Sequence, residues 1–151
     1  MNESNANLRS ILNHLIQTCK DGQEGFLTAA ENTVDPDIKH LFNEYSLQRA
    51  KFAGELQSLA HELGEHNPKD AGSVAGTIHR RWINLKTAVA GKDRLGILTE
   101  CEQGEDGAVA HYQDVLKHEL PANIREFVER QYGQVQGTHS HVKALRDNAK
   151  S

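Results

Sequence analysis

Apolar residues recur at intervals of three and four along four separate stretches of this chain, and only three prolines interrupt its 151 residues. That spacing places about one residue per turn on a single helix face, whereas a half-buried strand requires alternation. No stretch alternates with period two for long, so the expected fold class is all-α. Leu8, Ile11, Leu12, Leu15, Cys19, Phe26 and Ala30 form the first stripe. Ile38, Leu41, Phe42, Tyr45, Phe52, Leu56, Leu59 and Leu63 form the second. Leu95, Leu98, Cys101, Ala108, Tyr112, Val115 and Leu116 give the third, and Ile124, Phe127, Val128, Val135, Val142 and Leu145 the fourth. Asp35-Pro36 reads as an N-cap followed by proline in the first turn, and Pro121 also suits a helix start. The periodicity and these signals predict helices over about 4–33, 36–63, 93–119 and 121–148.

Length and composition narrow the class further. A chain of 151 residues suits one domain, 1–151, and 37% apolar content with a net charge of only -4 favours collapse. No apolar run approaches the roughly 18 residues of a membrane span. No basic patch followed by an apolar stretch opens the chain, so no secretory signal is visible. A pI near 6.1 argues against a general nucleic-acid surface. Two cysteines exclude a disulfide scaffold and a four-thiolate metal knot.

The connections carry the topology. The first and third are short, so helices one and two, and helices three and four, should form antiparallel hairpins. Between the hairpins lies a long segment, 64–92, that opens with the breaker-rich stretch Gly64-Glu-His-Asn-Pro-Lys-Asp-Ala-Gly72. Val74, Ile78, Trp82, Leu85 and Val89 then recur at helical spacing after Ser73, which predicts a short extra helix over about 74–90, anchored by Trp82. Two hairpins joined by one long crossover give a ferritin-like four-helix bundle, in which the second and third helices run parallel. An internal echo supports paired hairpins: Cys19-Lys-Asp-Gly22-Gln-Glu-Gly25 matches Cys101-Glu-Gln-Gly104-Glu-Asp-Gly107. Beyond each following proline, Ile38/Ile124, Leu41/Phe127, Phe42/Val128 and Gln48/Gln134 correspond. Glycines inside helices cost about 1 kcal/mol each relative to alanine. Close helix approach would explain them, as would a kink that opens space for a ligand.

Polar residues interrupt all four stripes at similar depth: Gln23; Tyr45 and Gln48; Glu102 and Glu105; Gln131 and Gln134. Heptad continuity places them on or beside the core seam, where they must bond one another or water. A mid-bundle polar layer is where helical bundles build metal sites.

Glu105-x-x-Ala108-x-x-x-Tyr112 resembles a pattern of rubrerythrin-like helices, with Gln131-x-x-Gln134 about where that superfamily carries Glu-x-x-His. Asp21-Gly22-x-x-Gly25-Phe26, Gly72-Ser-Val-Ala-Gly76-x-x-His79-Arg-x-Trp82 and Cys101-Glu-x-Gly104-Glu-Asp106 extend the likeness over nearly the whole chain. It resembles an uncharacterised bacterial family, a domain of unknown function, of ferritin-like four-helix-bundle proteins. The resemblance implies the fold, self-association into a homo-oligomer, and a link to stress. A ferritin-like di-iron centre uses four carboxylates and two histidines. At the matched positions this chain offers Gln23, Tyr45, Gln48, Glu105, Gln131 and Gln134, so only Glu105, with Glu102 one turn away, is a strong ligand type. The favoured expectation is a non-catalytic bundle without a cofactor, whose degenerate metal site has become a buried polar layer. The alternative is a metal-binding or di-iron-type oxidoreductase using Glu105 and Glu102, with Gln23, Gln131 or a rim histidine as further ligands and iron or another divalent metal bound.

The nine histidines include no pair three or four apart, so none form a same-face helical chelate, and all are expected at the surface or rim. Cys19 and Cys101 should diverge by about 10 Å in an antiparallel pairing, beyond disulfide reach, as two free buried thiols in a reducing cytoplasm. Glycine-rich phosphate loops and nucleophile elbows are absent, and Arg80-Arg81 is too short a basic run for a nucleic-acid surface.

Overall fold

The computed structural model describes residues 2–63 and 94–149, and the regular elements among them are all α-helical. α1 spans Asn2–Asn32, α2 Pro36–Glu62, α3 Arg94–Leu116 and α4 Ala122–Ala149. The expected crossover at 64–92, with its short helix, Trp82 and Arg80-Arg81, lies outside the described residues. None of the described helices is long and apolar enough to cross a membrane.

Local chemistry sets the helix ends. Asp35 accepts the Asp37 N–H through Oδ1 at 3.1 Å, its carbonyl accepts the Lys39 N–H at 2.9 Å, and Pro36 occupies the first turn. Arg94 reaches the same Asp35 carboxylate, tying the start of α3 to the α1–α2 turn. At the other end, Arg9 Nη1 donates to the Leu63 carbonyl at 2.8 Å, just beyond the last turn of α2. α3 stops at Leu116 rather than near 119. The N–H groups of Lys117 and His118 turn back to the carbonyls of Asp114 and Val115, and Arg125 Nη2 takes the carbonyls of Leu116 and His118 at 3.1 and 2.7 Å. The Pro121 carbonyl accepts the Arg125 N–H at 2.9 Å, so this proline supplies the first acceptor of α4.

Cross-helix pairs fix the directions. Lys39–Ala30 and Arg9–Leu63 run α2 antiparallel to α1. Thr18–His111 with the Phe26–Leu98 cluster runs α3 antiparallel to α1, and Tyr112–Gln131 with Glu102–Arg146 runs α4 antiparallel to α3. α2 and α3 therefore point the same way. α1 packs on α2 and α3, and α4 on α3 and α2, which leaves α2 and α3 facing each other across a diagonal of the bundle.

The apolar stripes converge in two clusters. Leu8, Leu12, Leu15, Phe52, Leu56, Tyr112 and Val128 belong to one, while Phe26, Ala30, Ile38, Phe42, Leu98, Cys101 and Val142 belong to the other. Cys19 and Cys101 are buried, free and on opposite sides of the polar layer, one in each cluster. What separates the clusters is charged.

Candidate functional site

On α2 the core stripe runs Ile38, Phe42, Arg49, Phe52 and Leu56, so a guanidinium stands between two apolar turns. Arg49 is 1% exposed and Glu105 is fully buried. Arg49 Nη1 donates to Glu105 Oε1 at 2.6 Å and Nη2 to Oε2 at 2.5 Å, a bidentate pair across the α2–α3 diagonal. Burial alone would favour loss of the Arg49 proton, but the charge and hydrogen bonds of Glu105 outweigh it and raise its pKa. The guanidinium also lies 5.5 Å from the centre of the Phe26 ring.

Gly22 makes this placement fit. A Cβ there would stand 3.1 Å from Arg49 Nη1 and 3.4 Å from its Cγ. The glycine thus clears room for a buried side chain, rather than for the backbone of a neighbouring helix or for a ligand.

The remaining polar groups form short chains around the pair. Tyr112 donates its hydroxyl to Gln131 Oε1 at 2.7 Å, which leaves its oxygen to accept from the Cys19 thiol at 3.3 Å. Gln131 Nε2 donates onward to Glu55 Oε1 at 3.1 Å. Burial drives the Cys19 thiol up to about 11 and the Tyr112 phenol well above its ordinary value, so both stay protonated. Gln48 Oε1 accepts from Arg49 Nε and from the Thr138 hydroxyl, each at 3.3 Å. Gln23 takes part through its backbone carbonyl, which accepts from Ser46 Oγ at 2.9 Å. Tyr45 lies at the rim, with its hydroxyl 2.6 Å from His141 Nδ1.

Several expectations need correcting. Glu105 pairs with Arg49, not with a ring of amides. Gln134 is exposed, because the buried face of α4 runs through Ile124, Val128, Gln131, Val135, Thr138 and Val142. Position 134 is one residue, about 100°, off that face. Glu102 is buried but turns away from Glu105 to Arg146 and towards Asp106 and His139. His111 is 5% exposed rather than at the rim. Thr18 donates to the His14 carbonyl at 3.0 Å, so its oxygen accepts from His111 Nδ1 at 2.5 Å. Burial, with His14 adding to it, pulls the His111 pKa down to about 4. His14, His111, Asp114 and His118 line a groove of about 580 Å³ near that end of α1.

Arg49 is the residue that sequence reading missed. Its signal is the heptad series Phe42, Arg49, Leu56, in which it holds the middle core position. Arginine is almost never fully buried unless paired, and the partner, Glu105, lies on a different helix.

None of the curated proteins compared matches the chain. The family described as Domain of unknown function (DUF2383) matches residues 7–118, a span that holds Arg49, Glu102, Glu105 and Asp106 and stops short of His139. The chain belongs to that family.

Proposed function

We propose that this chain is a non-catalytic, ferritin-like helical bundle that holds a fixed internal ion pair where a di-metal centre would stand. The observation that carries the reading is Arg49 on Glu105. A di-iron centre needs carboxylates and histidines with free lone pairs. Here the central layer offers Glu105, with both oxygens engaged by a guanidinium, among amides and phenols. Arginine does not deprotonate in a protein, so two dications would stand beside a permanent positive charge. These residues do not fit a di-iron centre. The alternative, a metal site built from Glu105 and Glu102 together, would require both to abandon their arginines and turn towards each other.

The resemblance extends the proposal to a bacterial protein that associates with itself and serves during stress, and the cysteine usage read from the sequence adds a cytoplasmic location. The test is aerobic oxidation of added ferrous ion, followed by absorbance. The reading expects no acceleration over buffer, and stoichiometric oxidation lost in Glu105→Gln would contradict it. Light scattering across micromolar concentrations tests self-association, which a monomer throughout would exclude.

A further inference from the structure

A second group of ligand-type side chains lies beside the central layer and takes no part in it. Glu102 and Asp106 stand one turn apart on α3, so their carboxylates project from neighbouring positions of one face. α4 runs antiparallel past that face and delivers His139, whose Nε2 lies 2.5 Å from Asp106 Oδ1. One ligand atom from each of the three falls within 4.8 Å of the other two. Ligand atoms sharing one zinc-sized ion at bonds of about 2.1 Å stand ~3–3.5 Å apart. Small rotations of the end groups bridge that difference. The side chain of Glu102 is 10% exposed, that of His139 23% and that of Asp106 52%, so the set has one anchored member and an open side for water.

Arg146 bears on the same site. Its Nη1 donates to Glu102 Oε1, while Nη2 and Nε donate to Asp147 Oδ1 at 3.0 and 3.3 Å. A guanidinium that already holds a second carboxylate can release the first without being stranded. We propose that Glu102, Asp106 and His139 bind one divalent transition ion of the zinc, cobalt or manganese class, in competition with Arg146. Two carboxylates balance the charge of the dication, and the imidazole selects against calcium and magnesium, which prefer all-oxygen ligands. The three residues come from two rigid helices, which fixes their spacing. The site uses neither Arg49 nor Glu105, so it stands or falls apart from the reading of the core.

The full chain, stripped with chelator and dialysed, is titrated with cobalt(II) chloride by calorimetry and visible absorption. One ion per chain is expected, with affinity reduced at least 10-fold in His139→Asn and in Glu102→Gln, and raised in Arg146→Gln. Folding of each variant is checked by helical circular dichroism. Absence of binding at tens of micromolar cobalt would overturn the proposal. So would undiminished binding in His139→Asn, or affinity that does not rise in Arg146→Gln. Loss in folded Glu105→Gln, with His139→Asn unaffected, would place the ion in the core and contradict the preceding reading as well.

Discussion

The α1–α2 and α3–α4 hairpins repeat each other in sequence, yet they place different chemistry at matched positions. The Cys-x-x-Gly-x-x-Gly echo aligns Gln23 with Glu105, and the stretches after the prolines align Tyr45 with Gln131, Arg49 with Val135 and Glu55 with His141. The contacts follow the same exchange: Tyr45 meets His141 between α2 and α4, and Gln131 meets Glu55 between the same two helices. One diagonal of the bundle, α2 to α3, carries Arg49 and Glu105. The matched diagonal carries Gln23 and the buried Val135. Two similar hairpins thus pack into one bundle, but at this depth only one of its diagonals is charged. The difference suggests that the fold needs apolar spacing at these depths and tolerates polarity where both partners are supplied.

Stripping one charge from the charged diagonal should separate the two diagonals most strongly. Glu105→Leu should lower the unfolding free energy by about 3–5 kcal/mol, because it leaves a buried guanidinium uncompensated. Glu105→Gln should be nearly as damaging, since the amide keeps the shape but not the charge. Gln23→Leu, on the other diagonal, should cost less than ~1 kcal/mol. Denaturant unfolding of the three variants checks the order, and a mild Glu105→Gln would show that the carboxylate charge is unimportant.

The end of the bundle near His111 should respond to acid. His111 is neutral when folded and gains its proton only near pH 4, whereas the unfolded chain takes it near 6.5. Its contribution is intact above about pH 7 and is lost progressively as pH falls from 6.5 to 4, reaching about 3 kcal/mol. His111→Gln should flatten the stability profile over that window. A profile equally steep in the variant would contradict the assignment.

A smaller contrast separates the two tyrosines. Tyr112→Phe strands a buried Gln131 oxygen and should cost ~1–2 kcal/mol, while Tyr45→Phe at the rim should cost about 0.5 kcal/mol or less. Equal losses by thermal unfolding would mean that the layer is not more enclosed than its rim. The smallest effect concerns Gly22. Gly22→Ala should gain up to about 1 kcal/mol of helix propensity only when Arg49→Met has removed the crowded guanidinium. A gain of the same size with Arg49 present would deny that the glycine makes room for it.

Much of the architecture was legible because apolar spacing is local. The four stripes, Asp35-Pro36 and the burial of Cys19, Cys101 and Tyr112 all follow from a few turns of one helix. Glu105 was legible as a core carboxylate for the same reason. Its partner was not, because Arg49 and Glu105 lie on helices related only through the assembled bundle, and a long basic side chain usually ends in water. Gln134 failed for a finer reason: a one-residue error in helical phase separates Val135 in the core from Gln134 outside it. The Glu102–Asp106–His139 cluster was half visible. Two of its members are four apart on α3, and a histidine at the rim was a candidate third ligand, but His139 arrives by packing and nothing local singles it out among the nine.

Arg49 and Glu105 form one coupled unit. A double-mutant cycle of Arg49→Met, Glu105→Leu and the double variant, followed by denaturant unfolding, measures that coupling directly. Each single variant should lose about 3–5 kcal/mol, and the double variant should lie within ~1 kcal/mol of the original chain, because the two apolar side chains replace a pair rather than strand a charge. Losses that simply add in the double variant would mean that the two side chains are not coupled.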